Sequence, residues 1–148
     1  MRSPRRRARE FALQGLYQWQ MTGASAAAIR RDLAELEGYA AADEAFLKAE
    51  LKGVIGEAEG LQSLLEPLAD RKWGEVSPVE KAILLMGAWE IAHAPEMPYR
   101  VSINEAIELA KRFGGTDGHK YVNGILDRVA LALRPDEVAA GRTAERNP

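Results

Sequence analysis

The segment 77–92 constrains the fold more than any other part of the chain. Ser77-Pro78-Val79-Glu80 reads as a helix start, with a serine cap, proline at the first helical position and a glutamate three residues after the cap. Behind it, Val79, Ala82, Ile83, Leu84, Leu85, Met86, Ala88, Trp89, Ile91 and Ala92 leave almost no polar face. A helix that is apolar all round must be covered on every side, so it belongs at the centre of a domain. Gly87 inside it costs about 1 kcal/mol relative to alanine, and close approach of a neighbouring helix would explain it. At 148 residues the chain suits a single domain.

Helical periodicity runs through the remainder, and no stretch of apolar/polar alternation is long enough to force a strand. The first helix is expected over 5–20, with Ala8, Phe11, Ala12, Gly15 and Trp19 on one face. A short helix follows Ser25 and carries Ile29, Leu33 and Leu36. Asp43 reads as the cap of a longer one burying Phe46, Leu47, Leu51, Val54, Ile55 and Ala58; Leu61, Leu64, Leu65 and Leu68 continue the stripe, with a bend at Gly60 or Pro67. Pro95 and Pro98 make a rigid connector. Ser102-Ile103-Asn104-Glu105 resembles a second capping box, opening a helix that buries Ile103, Ala106, Ile107 and Ala110, with Glu108 and Arg112 as an outward i, i+4 pair. Gly114-Gly115 stop it. Thr116 or Asp117 then caps a last helix burying Val122, Ile125, Leu126, Val129 and Leu133; the unbroken 3.6 period argues against a hairpin at Asn123-Gly124. The expected architecture is an all-α domain of about six to seven helices over 1–135, with a polar, disordered tail over 136–148.

Catalytic chemistry has little to draw on. Cysteine is absent, which excludes a disulfide scaffold, a thiolate metal site and a cysteine nucleophile. His93 and His119 stand alone, without partners at metal-ligand spacing, and neither a phosphate-cradling glycine loop nor a nucleophile elbow is present. No apolar run approaches the roughly 20 residues that span a bilayer, and the arginine-rich start lacks the apolar segment of a secretory signal. A cytoplasmic binding protein without cofactor, metal or small-molecule substrate is expected.

The net charge of −2 argues at first against a nucleic-acid partner. Its distribution argues otherwise. Arg2, Arg5, Arg6, Arg7 and Arg9 fall within the first nine residues, and the rest of the chain carries a net −7. Arginines in a first helical turn oppose the helix dipole, at a cost of roughly 0.3–1 kcal/mol each. The arrangement makes sense if an anion binds there, where free N–H groups and guanidinium groups converge, and nucleic-acid phosphate is the natural anion. The competing reading is a solvated tail. A second surface lies over 113–121, where Phe113, Asp117, Lys120 and Tyr121 combine stacking faces, a cation and a carboxylate in the manner of single-strand RNA sites. The competing reading there is an ordinary helix turn with both rings in the core. Leu13 and Tyr17 lie opposite Phe11 and Trp19, so the first helix is either sandwiched between layers or presents a docking stripe.

Four blocks in order carry a family resemblance: RRRAREFALQGLY at 5–17, VEKAIL at 79–84 with Glu90 downstream, PYRVSINEAIELAKRFG at 98–114 and HKYVNGIL at 119–126. Together they resemble the NusB family of transcription antitermination factors over residues 5–134. The resemblance implies an all-α fold of two packed helical subdomains. It also implies a binding protein that pairs with the ribosomal protein NusE, recognises boxA RNA of ribosomal RNA leader transcripts and joins the RNA polymerase antitermination complex. By the same resemblance, RNA contacts map to Arg5, Arg6, Arg7, Arg9, Phe113, Asp117, Lys120 and Tyr121, and the partner surface to Tyr17, Glu75 and Glu80. The family often has phenylalanine where this chain has Tyr121. A related domain stands at the front of certain RNA methyltransferases, but 148 residues leave too little chain for a cofactor-binding domain. The readings from other classes are a helical adapter that binds only proteins and a small enzyme.

Overall fold

A computed structural model describes residues 2–146, and among them every regular element is helical. The helices are α1 (Pro4–Thr22), α2 (Ala26–Leu33), α3 (Glu44–Gly56), α4 (Ala58–Leu65), α5 (Pro78–His93), α6 (Tyr99–Phe113), α7 (Gly118–Leu133) and α8 (Pro135–Arg146). Short 3₁₀ turns at Tyr39–Ala41, Glu66–Leu68 and Trp73–Glu75 join them. The bundle α1–α3 forms one packed group and α5–α7 the other, and α5 packs against helices of both. That is the two-subdomain arrangement expected, with the all-round apolar helix where it must be: residues 82–88 of α5 are buried without interruption. Among the described residues, no helix is long and apolar enough to cross a membrane.

Local signals are realised closely where they depend on neighbouring residues. The Ser25, Asp43 and Ser77 side chains accept from the N–H groups of Ala28, Phe46 and Glu80 at the starts of α2, α3 and α5. Gly23 ends α1 in the left-handed conformation, at φ 70°. Gly87 is explained by contact: a β-carbon there would lie 2.6 Å from Leu126 Cδ1, so α5 and α7 meet at a distance only glycine permits. Gly53 has the same role toward the Trp89 indole.

Other expectations are corrected. The α3–α4 bend falls at Gly56-Glu57, ahead of Gly60, and Pro67 sits in a 3₁₀ turn. The proposed cap at Ser102 is internal to α6, which starts three residues earlier at Tyr99 behind Pro98. Ser102 is buried and its Oγ donates to Glu90 Oε1 at 3.0 Å. Glu105 reaches across to α1 rather than back to its own helix start. Asp117 occupies the cap position of α7 at φ 62° but makes no capping hydrogen bond with its side chain.

The tail is also corrected as far as it is described. Residues Pro135–Arg146 form α8, and Val138 is buried against the core. The junction is pinned by Arg134, whose guanidinium donates to the carbonyls of Glu90, Ile91, Ala94 and Met97 at 2.6–3.2 Å. Those groups lie at and just beyond the end of α5, where helical pairing runs out; the Glu90 and Ala94 carbonyls also accept from the Ala94 and Met97 N–H groups. Glu137 accepts from Arg134 and from the Tyr99 N–H, tying α8 to the start of α6. Residues 147–148 of the expected tail lie outside the described residues.

Candidate nucleic-acid interface

The arginine-rich start is a helix, not a tail. Ser3 caps α1 by accepting from the Arg6 N–H, Pro4 takes the first position, and the first turn holds no acidic residue. The Pro4 carbonyl accepts from the Asp43 N–H at 3.0 Å, fixing this end against the start of α3. Arg5 is exposed, lies 3.8 Å from Asp43 and stands over the Phe46 ring at 4.8 Å. Arg6 forms a two-pronged bond with Glu105 at 3.0 and 3.1 Å. That bond, together with the charge of Glu105, holds the Arg6 guanidinium firmly protonated. Arg7 is half-buried and lines a groove with Arg2, Phe11, Tyr17, Val79 and Phe113.

Arg9 is different and leaves the expected RNA-binding set. It is 4% exposed and donates to both oxygens of Glu90, at 2.7 and 3.2 Å. Burial opposes its charge, but the bonds to Glu90 and the nearby acids more than offset that, and its pKa is raised. Glu50 is buried beside this pair, and neither of its carboxyl oxygens accepts a hydrogen bond. Desolvation first, then the charge of Glu90, push the Glu50 carboxyl well above the ordinary glutamate range and favour its neutral form. A guanidinium committed in this way is an anchor between α1 and α5, not a phosphate ligand.

The turn before α7 splits into two environments. Phe113 is 44% exposed and shares the groove with Arg2, Arg7 and Tyr17; the groove volume is about 430 Å³. Tyr121 faces the other way. It packs against the core, its hydroxyl is buried without a hydrogen-bond partner, and the Arg71 guanidinium covers its ring at 4.0 Å. Asp117 and Lys120 are exposed and paired with each other at 3.3 Å. The structure therefore brings Arg7 and Phe113 together, leaves Asp117 and Lys120 at the adjoining helix start, and turns Tyr121 toward the segment before α5.

The expected partner residues lie around the start of α5. Leu13 is buried and Tyr17 is 44% exposed, so α1 is sandwiched at one level and open at the next. The Gln20 side chain donates to the Pro78 carbonyl at 2.9 Å, holding this half of α1 on the start of α5. Glu80 accepts from Ser77 Oγ, and its other oxygen lies where a β-carbon on Gly118 would be, 2.4 Å away. Glu75 is exposed in the preceding 3₁₀ turn.

One residue escaped the sequence reading. Arg112 does not pair with Glu108 within α6. It crosses to Glu10 of α1 at 2.6 Å and stands 5.1 Å over the Phe113 ring. Its place directly before Phe113 was the available signal. His93 lies outside this surface and pairs with Glu57 at 2.6 Å.

Comparison with known proteins agrees with this architecture. The model of the NusB family matches residues 6–131. A transcription antitermination protein NusB from Dechloromonas aromatica is 56% identical over 145 residues, covering 98% of this chain and 89% of the relative. Another, from Thiobacillus denitrificans, is 50% identical over 138 residues, covering 93% and 95%. The solved structure of T. maritima NusB superposes with a TM-score of 0.79 at 26% identity, covering 94% of this chain and 99% of that one. By sequence and by fold, the chain belongs to the NusB family of transcription antitermination proteins.

Proposed function

We propose that this antitermination protein works by binding, without catalysis: it holds boxA-type single-stranded RNA of ribosomal RNA leaders together with the ribosomal protein NusE, in the cytoplasm, as part of the antitermination complex on RNA polymerase. The observation that carries the reading is the start of α1. Three successive arginines, Arg5, Arg6 and Arg7, occupy a first turn that electrostatics would fill with acids, and the groove lined by Arg7 also holds the exposed Phe113 ring. Phosphates supply the charge that this helix end lacks, and an unstacked base finds a ring beside them. Tyr17, Glu80 and Glu75, grouped around the start of α5, form the surface offered to NusE. The test is a fluorescence-anisotropy titration of labelled boxA-type RNA with and without NusE. Salt-sensitive binding that tightens when NusE is added is expected. A protein that binds NusE but no RNA in either state belongs to the protein-only adapter class.

Asp117 gives a further prediction. Its carboxylate places negative charge beside the RNA path and occupies Lys120. Asparagine tolerates the left-handed backbone at this position, so Asp117→Asn keeps the turn while removing the charge. The variant is expected to bind boxA-type RNA more tightly. Weaker binding by a protein whose circular dichroism and melting are unchanged would show instead that the carboxylate accepts from a base.

A further inference from the structure

We propose that the cleft between α1 and α6 is a second phosphate-binding station, with Lys111 and Arg112 as its unassigned ligands and Glu10 as a built-in competitor. The proposal rests on the RNA reading above and extends it along the surface. The cleft has a volume of about 230 Å³ and is lined by four cations, Arg2, Arg6, Lys111 and Arg112, and three acids, Glu10, Glu105 and Glu108. Residues 2, 6 and 10 recur every four positions along the start of the chain, and residues 105, 108, 109 and 112 form the facing stripe of α6. Acids and bases are layered. The Glu10 and Glu105 side chains are only 16% and 18% exposed, while those of Arg2, Arg6, Arg112 and Lys111 are 39–53% exposed. The Glu10 and Glu105 carboxylates form a floor and the cations a rim, which Glu108, 53% exposed and 3.9 Å from Lys111, shares.

Glu10 is held by two guanidinium groups from opposite walls, Arg2 at 3.1 Å and Arg112 at 2.6 Å. Each arginine offers five N–H donors in a planar fork. One carboxylate oxygen uses few of them, and the two side chains are 39% and 48% exposed. Favourable charge at the end of α6 accounts for basic residues there, but not for Arg112 leaving its own helix to meet α1. That crossing aligns Arg112 with Arg6 and Arg2 on one side and with the Phe113 ring on the other. A strand lying across the arginine-rich turn and stacking a base on Phe113 passes over this cleft. The acidic floor weakens the rim for isolated anions. It thereby favours a ligand that engages several phosphates at once.

The test uses the full-length chain, saturating NusE, and two labelled single-stranded RNAs of equal length, one of boxA sequence and one of polyuridine, titrated from about 0.05 to 1 M salt. Lys111→Ala/Arg112→Ala is expected to weaken binding of both RNAs by roughly 10–30-fold near 0.1 M, and to lower the salt slope by about 1.4, since single-strand contacts contribute about 0.7 each. Glu10→Gln is expected to tighten both, polyuridine by the larger factor. Circular dichroism and melting serve as folding controls for both exposed positions. Unchanged affinity and slope in the double variant, or no tightening by Glu10→Gln, overturns the cleft while leaving RNA binding by the native chain intact. A native chain that binds neither RNA overturns the RNA reading and the cleft with it.

Discussion

Glu90→Ala is expected to lower the stability of the folded protein by about 3–5 kcal/mol, the range for removing one partner of a buried ion pair. For a chain of this size that is a fall in melting temperature of roughly 6–20 °C. Glu90 is 2% exposed and accepts both bonds from Arg9 as well as one from Ser102 Oγ. Without it the Arg9 guanidinium keeps the Met97 sulfur at 3.2 Å, the face of Phe46 at 4.8 Å and the neighbouring Glu50 carboxyl, none of which is a hydrogen-bonded carboxylate partner. The cost therefore comes from stranding a charge more than from losing an attraction. Glu105→Ala breaks a bond of similar geometry to Arg6, but at the surface, where such pairs contribute about 0–1 kcal/mol. Thermal and urea unfolding of the two variants, followed by circular dichroism, checks the contrast; a small and equal loss in both would show that Arg9 is not an anchor.

Glu50 adds a pH dependence to the same cluster. Its carboxyl is raised above the ordinary value of 4.5 by burial and by Glu90. The folded protein therefore holds a proton that the unfolded chain releases above that value. Stability from this group is complete below about 4.5 and is lost as pH rises toward the raised folded value. Replacing Glu50 by glutamine, which keeps the shape of the neutral acid, should remove that slope in the same unfolding series.

These residues also show which parts of the molecule the sequence discloses. Ser25, Asp43, Ser77 and Gly23 act within four residues of themselves, so their caps and stops can be read directly. The core position of α5 follows from its missing polar face, and Gly87 from the rarity of glycine in such a helix. Arg9 could not be separated from Arg5, Arg6 and Arg7 by spacing, because its partner lies 81 residues away. The local i, i+4 rule pairs Arg112 with Glu108, but a partner 102 residues distant wins instead. The α8 segment looks polar in composition, yet the links made by Arg134, Glu137 and Val138 to α5, α6 and the core hold it down. Proximity in the chain groups Tyr121 with Phe113. The turn of α7 sends the two rings to different neighbours, which period alone does not reveal.

Arg5→Ala/Arg6→Ala/Arg7→Ala is expected to weaken boxA-type RNA binding by roughly 100-fold near 0.1 M salt and to lower the salt slope by about 2, for three phosphate contacts at about 0.7 each. The fold should survive. Arg5 and Arg6 are exposed, their partners Asp43 and Glu105 reach solvent, and removing cations from a first helical turn relieves about 0.3–1 kcal/mol of dipole repulsion per charge. The triple variant should therefore melt close to the native chain while losing RNA, whereas Arg9→Ala should lose stability first. The two losses separate under conditions where both variants remain folded: there the triple variant retains a shallow salt dependence, and Arg9→Ala keeps the native slope because it removes no phosphate contact. Binding of NusE, read in parallel, should be unchanged in the triple variant, since Tyr17, Glu75 and Glu80 lie around the start of α5 rather than on the arginine turn. A native salt slope in the triple variant would place the phosphates elsewhere on the molecule and remove the basis for assigning the start of α1 to RNA.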